Sequence, residues 1–212
     1  MMISTEYGSE IVNDMVNIIV ANREYLSEID GAIGDGDHGI NMAKGFNLCG
    51  ASLAGKKMSL AEALDILSDA LMEGIGGSMG PLYGSLFIGM ADSIRDEEKL
   101  TLDQFAKMLR DGLTSLQDIS SAGVGDKCLM DTLIPAVETI EKAAREDMPF
   151  TDALGLMKDA AAKGRDSTLD LVAKIGRASR LGERSRGVLD AGATSCCLLL
   201  TQLAESTERR LA

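Results

Sequence analysis

Hydrophobic positions recur along this chain with the period of helices, not strands. Ile11, Met15, Ile18, Ile19, Leu26 and Ile29 share one helical face, with Asn22 the one polar break, and predict a first helix over residues 10–30. A glycine-rich stretch, Gly31 to Gly39, interrupts the pattern. A second helix resumes there with Met42, Ala43 and Phe46 on its inner face. Ser59-Leu-Ala-Glu62 and Thr101-Leu-Asp-Gln104 each set a hydroxyl at an N-cap and a side-chain acceptor three residues on. These capping boxes predict helices running towards Met72 and Ser120. Between them Gly74, Gly76, Gly77 and Gly80 break the pattern, and Pro81 then fits the first turn of a helix ending near Ile94. After a glycine loop from Gly123 to Asp126, the pattern predicts helices over 131–145, 151–163 and 168–175. Gly176 to Gly192 reads as a loop, and a last helix covers 193–209.

About eight helices with short connections argue for an all-α fold, an antiparallel bundle or barrel. The length of 212 residues suits one domain over 1–212. In an up-and-down arrangement every second connection lies at the same end. The glycine-rich loops can therefore meet at one rim and build a site there.

Composition agrees with helices. The chain is 45% hydrophobic but only 3% aromatic, so its core must be filled with aliphatic residues and the 12 methionines. The formal charge of −12 argues against nucleic acid as a partner, since that needs a basic footprint. The cysteines, Cys49, Cys128, Cys196 and Cys197, form no C-x-x-C pair, and His38 is the only histidine, so a zinc site of the Cys/His kind is not expected. No basic leader followed by an apolar run opens the sequence, and no apolar run reaches the roughly 18 residues of a membrane span. A cytoplasmic protein with no membrane partner is the expectation.

Three segments carry candidate chemistry. Asp30, Asp35 and Asp37 lie within Asp30-Gly-Ala-Ile-Gly-Asp35-Gly-Asp37-His38-Gly39, where glycines allow the carboxylates to converge. Converging carboxylates need a cation, and hard oxygen ligands favour Mg²⁺ or Ca²⁺. An EF-hand register fails, because loop position six is Asp35 and position twelve is Asn41. Asp-Gly pairs are also plain turn formers, and spacing alone leaves that alternative open. Gly76-Gly-Ser-Met-Gly-Pro81 precedes a helix whose N-terminal amides could face an anion, although it equally suits a simple turn. Arg177, Arg180, Arg184 and Arg186 are interrupted by a single acid, Glu183, and offer either a phosphate clamp or a solvated basic loop. His38, beside the carboxylates, could touch a phosphate or close the turn. Asp190 is placed as the N-cap of the last helix.

Taken together, these runs resemble the L-subunit family of dihydroxyacetone kinases. The matching stretches are Ile33-Gly-Asp-Gly-Asp-His-Gly39, Gly76-Gly-Ser-Met-Gly-Pro-Leu-Tyr-Gly84, Gly125-Asp-Lys127 with Asp131 and Pro135, and Gly176-Arg-Ala-Ser179 continuing to Asp190-Ala-Gly-Ala-Thr-Ser195. The resemblance implies an antiparallel barrel of about eight helices, with ADP or ATP and a pair of Mg²⁺ ions at one rim. It implies Asp30, Asp35 and Asp37 as metal ligands. It implies nucleotide contacts from His38, Gly39, Ile40, Asn41, Ser78, Met79, Ser120, Leu129, Arg177, Asp190, Ala191 and Gly192. Met79, Cys128, Val188 and Ala191 depart from the residues usual at those places.

The family's K-type subunit holds dihydroxyacetone, so the resemblance implies a phosphotransferase subunit that acts only with such a partner and carries no catalytic residue beyond its metal–nucleotide site. It also implies a phosphoryl-donor protein of the phosphoenolpyruvate-dependent phosphotransferase system that recharges ADP in place. Two alternatives stand beside it: an ATP-dependent kinase subunit for another small sugar, and a nucleotide-loaded module that binds a transcription regulator.

Overall fold

The computed structural model describes all 212 residues. Nine α-helices dominate: α1 Gly8–Ala21, α2 Arg23–Ile33, α3 His38–Leu53, α4 Leu60–Gly74, α5 Met79–Ser93, α6 Leu102–Gln117, α7 Met130–Arg145, α8 Phe150–Ser167 and α9 Ala191–Glu208. No helix is long and apolar enough to cross a membrane.

The helix packed against each helix's flank spells out a closed ring. α1 packs on α3, α3 on α4, and so on in chain order to α9, which packs back on α1. α2 continues α1 beyond a kink and leans on α3 and α9. Eight staves therefore enclose the core, as the barrel expectation has it. Fifty buried residues form one continuous apolar cluster inside. Phe46 meets Phe87 edge-on at 6.4 Å, and Tyr83 stacks on Phe87 at 6.2 Å. Met15, Met42, Met90, Met108, Met130 and Met157 fill the space that the missing aromatics leave.

Both capping boxes form as the sequence predicts. Ser59 and Glu62 exchange bonds at the start of α4, and Thr101 and Gln104 do so at the start of α6. Pro135 sits inside α7, and Pro81 falls in the first turn of α5.

Three expectations need correction. The predicted helix over 10–30 is two helices. Asn22 breaks it, because its Nδ2 donates to the Ile18 carbonyl at 2.8 Å and its backbone leaves helical geometry. The segment 168–175 is not helical either. Only turn bonds run from Thr168 to Leu171, and its other polar groups are drawn to distant partners. The loop expected over 176–192 contains a 3-10 helix, Arg177–Ser185, with a non-helical residue at Gly182.

At the rim away from the glycine loops the chain ends meet. Ile3–Ser4 (β1) pairs antiparallel with Lys99–Leu100 (β2), and Ile3 also bridges to Leu211. Met2 and Ala212 exchange both backbone bonds, at 2.9 and 3.1 Å. This clasp covers the seam where α1 meets α9.

Candidate functional site

The connections α2–α3, α4–α5, α6–α7 and α8–α9 converge at one rim and line a cavity of about 750 Å³. That falls in the range of small-molecule sites. Each loop brings a different chemistry to it.

The α2–α3 connection brings the acids. Asp30 lies in the last turns of α2, Asp35 in the turn and Asp37 at the N-cap of α3. One oxygen from each lies within 4.8 Å of the other two. All three donors are hard carboxylate oxygens, which fits a divalent cation such as Mg²⁺. The turn is braced from within: Asp30 Oδ2 accepts from the His38 amide at 3.3 Å. Across the cavity Arg177 forms an ion pair with Asp35, so a cation already answers part of the cluster's charge.

The α4–α5 connection brings backbone amides. Gly76 and Gly77 have open space around them, and Gly77 has φ +76°. Ser78, at the N-cap of α5, makes no capping bond with its side chain, so the first amides of α5 face the cavity without a side-chain partner from the cap. A helix N-terminus of this kind favours an anion.

The α8–α9 connection closes the far wall. Asp190 caps α9, accepting from the Ala193 amide at 2.7 Å, and Ala191 and Gly192 follow in the first turn. Burial pushes the Asp190 carboxyl up to about 6 despite the Ala193 amide, with the charge of Asp131 adding to the push. From the α6–α7 connection come Ser120, Cys128 and Leu129. Burial raises the Cys128 thiol to about 12, so it stays protonated.

Of the residues named from the sequence, Asp30, Asp35, Asp37, His38, Asn41, Ser78, Met79, Ser120, Leu129, Arg177, Asp190, Ala191 and Gly192 all line this cavity. Gly39 and Ile40 do not. Gly39 lies against α2, where an added Cβ would come within 2.6 Å of Ser27 Oγ and 2.8 Å of Ser27 N. Ile40 is 48% exposed on the outer side of α3, over a separate groove with Arg23 and Lys44.

Four structural participants had no role assigned from sequence. Tyr83 and Ser195 form a buried chain behind His38: Ser195 Oγ lies 2.9 Å from His38 Nε2 and 2.7 Å from the Tyr83 hydroxyl. Burial pushes His38 down to about 4 against the pull of Asp30, so its ring is neutral at physiological pH. Asp131 braces its own loop by accepting from the Gly125 and Cys128 amides at 2.6 and 2.8 Å. Lys127 is the fourth. Only the motif stretches that contain Tyr83, Lys127, Asp131 and Ser195 hinted at them.

The profile of the DAK2 domain matches residues 32–205. The chain is 32% identical over 212 residues to the ADP-binding subunit of a PEP-dependent dihydroxyacetone kinase from Listeria innocua, spanning 99% of this chain and 98% of that one. It is 34% identical over 200 residues to the corresponding Escherichia coli subunit, spanning 92% and 95% of the two. The fold also matches the crystal structure of the dihydroxyacetone kinase of C. freundii in complex with AMP-PNP and Mg²⁺. There the TM-score is 0.72 at 23% identity, covering 94% of this chain and 33% of that longer one. With its ring of helices, its acid cluster and near full-length matches, this chain belongs to the DAK2 family of ADP-binding, L-type subunits of dihydroxyacetone kinase.

Proposed function

We propose that residues 1–212 act as one nucleotide-binding domain, the ADP-binding subunit of a PEP-dependent dihydroxyacetone kinase. The observation that carries this is the placement of three converging aspartates opposite two helix N-termini and Arg177 across a single cavity. Asp30, Asp35 and Asp37 would hold a pair of Mg²⁺ ions. His38, Asn41, Ser78, Met79, Ser120, Leu129, Arg177 and the turn Asp190–Gly192 would hold ADP or ATP. Gly39 supports this wall by letting α3 approach α2, and Ile40 flanks it.

Mg²⁺, when bound, neutralises charge on the terminal phosphate oxygens and aligns them for transfer. The chain's own residues do the rest by position. The α5 amides and Arg177 stabilise negative charge on the phosphates. Neutral His38 is held in place through Ser195 and does not add a second cation. The aspartates would serve the metal and not act as a base. A K-type partner that binds dihydroxyacetone would supply substrate and base, and the chain alone would be silent. A phosphoryl-donor protein of the phosphotransferase system recharges ADP in place, in the cytoplasm.

The test is direct. Protein purified from cells should release ADP on heating, with Mg²⁺ near two equivalents. Asp35→Asn and Asp37→Asn should lose that ADP while circular dichroism stays helical. ADP retained by both variants would remove the metal assignment.

A further inference from the structure

Lys127 lines the cavity, yet its ammonium is spent on main-chain carbonyls. It is 2% exposed, in the left-handed region at φ +62°. Its ammonium donates to three main-chain carbonyls: Thr168 at 2.6 Å, Leu171 at 3.2 Å and Val188 at 2.6 Å. An ammonium has three protons, so each is committed. No carboxylate pairs with it directly. Burial lowers its pKa, opposed first by the charge of Asp190.

The three carbonyls have a telling arrangement. Thr168 and Leu171 lie where the chain leaves α8, and Val188 lies where it returns to α9. Between them runs the basic segment with Arg177, Arg180, Arg184 and Arg186. Other bonds close the same neck, Gly187 N to Leu169 O at 2.8 Å and Asp190 N to Thr168 Oγ1 at 3.0 Å. Lys127 differs because it reaches from the α6–α7 loop and grips both strands of the neck at once. Its neighbour Asp126 extends the tie, accepting from Lys174 N at 3.1 Å and pairing with Lys174 Nζ at 3.3 Å.

We infer that Lys127 is a positioning residue of the nucleotide site: it clamps both ends of the basic segment, and so sets where Arg177 and the Asp190–Gly192 turn stand, without touching phosphate. The inference rests on the nucleotide reading above. A lysine in a polyphosphate cavity would ordinarily act as a phosphate ligand. Here its geometry makes it a strut. Removing it takes the ammonium from the partly buried Leu171 and Val188 carbonyls and from the buried Thr168 carbonyl, which keeps the Leu171 amide at 3.3 Å, and the neck that carries Arg177 loosens.

Lys127→Met keeps the length and removes the donors. Three readouts separate the roles: calorimetric binding of Mg²⁺ alone, binding of ADP with Mg²⁺, and trypsin cleavage after the four arginines, mapped by mass spectrometry. The expected result is Mg²⁺ affinity no lower than the parent's and at most about fivefold higher, since the aspartates stay in place and only Arg177, which pairs with Asp35, is released. ADP affinity should fall about tenfold or more, and cleavage in the segment should accelerate by a similar factor. If Lys127→Met does not fold, Lys127→Arg serves, because it keeps charge and donors but not the fit to three carbonyls. The same split at smaller size is then expected. Lost ADP affinity with unchanged cleavage would mean that Lys127 meets phosphate itself, and overturns the inference. Equal loss of Mg²⁺, ADP and thermal stability would mean general damage, and also overturns it. A parent protein that binds no ADP overturns the reading beneath, while the cleavage comparison still tests the clamp.

Discussion

Gly39→Ala tests whether the metal site depends on how closely two helices approach. Gly39 lies in the first turn of α3, and a Cβ there would stand 2.6 Å from Ser27 Oγ and 2.8 Å from Ser27 N, with the Arg23 carbonyl closer still. Ordinary contact begins near 3.4 Å. Two of these three atoms belong to the α2 backbone, so no side-chain rotation relieves them. The start of α3 must retreat by about 1.5 Å to clear the Arg23 carbonyl, at a cost of about 1–3 kcal/mol for overpacking. Alanine's better helix propensity returns less than about 1 kcal/mol. A net loss near 2 kcal/mol lowers the melting temperature by about 4–8 °C in a chain of this size. The same retreat carries Asp37, at the α3 N-cap, away from Asp30 on α2, so Mg²⁺ binding should weaken in parallel. Gly155→Ala in α8 is the control, because nothing lies within 4 Å of its added Cβ. It should raise stability by about 0.5–1 kcal/mol and leave Mg²⁺ alone. Urea denaturation and Mg²⁺ calorimetry on nucleotide-free protein decide the matter. Gly39→Ala with parental stability and parental Mg²⁺ affinity would refute the reasoning.

Two further outcomes are expected. His38 is held down to about 4 from 6.5 by burial, so the unfolded chain takes up its proton first as pH falls. Stability attributable to His38 is therefore whole above about 6.5 and declines towards about 4, by up to about 3 kcal/mol. His38→Gln should flatten that part of the metal-free stability–pH curve, and an unchanged slope would count against the burial. Arg177→Ala removes the ion-pair partner of Asp35, so Mg²⁺ without nucleotide should bind up to about fivefold more tightly, while ADP binds more weakly. Mg²⁺ and ADP affinities that move in the same direction would show that Arg177 does not alternate between carboxylate and phosphate.

The parts of the fold legible in the sequence are those set by short-range chemistry. The capping boxes at Ser59 and Thr101 fixed two helix starts, because both partners lie within one turn. The acid cluster was legible because Asp30, Asp35 and Asp37 lie within one short connection. What stayed hidden depends on partners far along the chain. The stretch after Thr168 has an apolar rhythm that suits a helix, but Lys127 takes the Thr168 and Leu171 carbonyls, and Ser185 Oγ and Asp126 take the Ala173 and Lys174 amides. The break at Asn22 needed knowledge that its amide would choose the Ile18 carbonyl over solvent. Gly39 was assigned to the ligand through its motif, whereas its missing side chain serves a backbone neighbour on α2. The Tyr83–Ser195–His38 chain joins residues more than one hundred positions apart, which no local pattern records.

The clasp between the chain ends gives the barrel a property that its linear sequence conceals. Met2 and Ala212 already exchange backbone bonds, so a short peptide bridge could join them without moving α1 or α9. The ring has no first or last stave in space, only in synthesis. New ends opened in the tight turn between α7 and α8, at the same rim as the clasp, would leave all four site loops uncut. A circularly permuted chain of that design should close the same ring and keep the same cavity. The order in which the staves are written is then incidental, and their neighbours around the ring are what define the site.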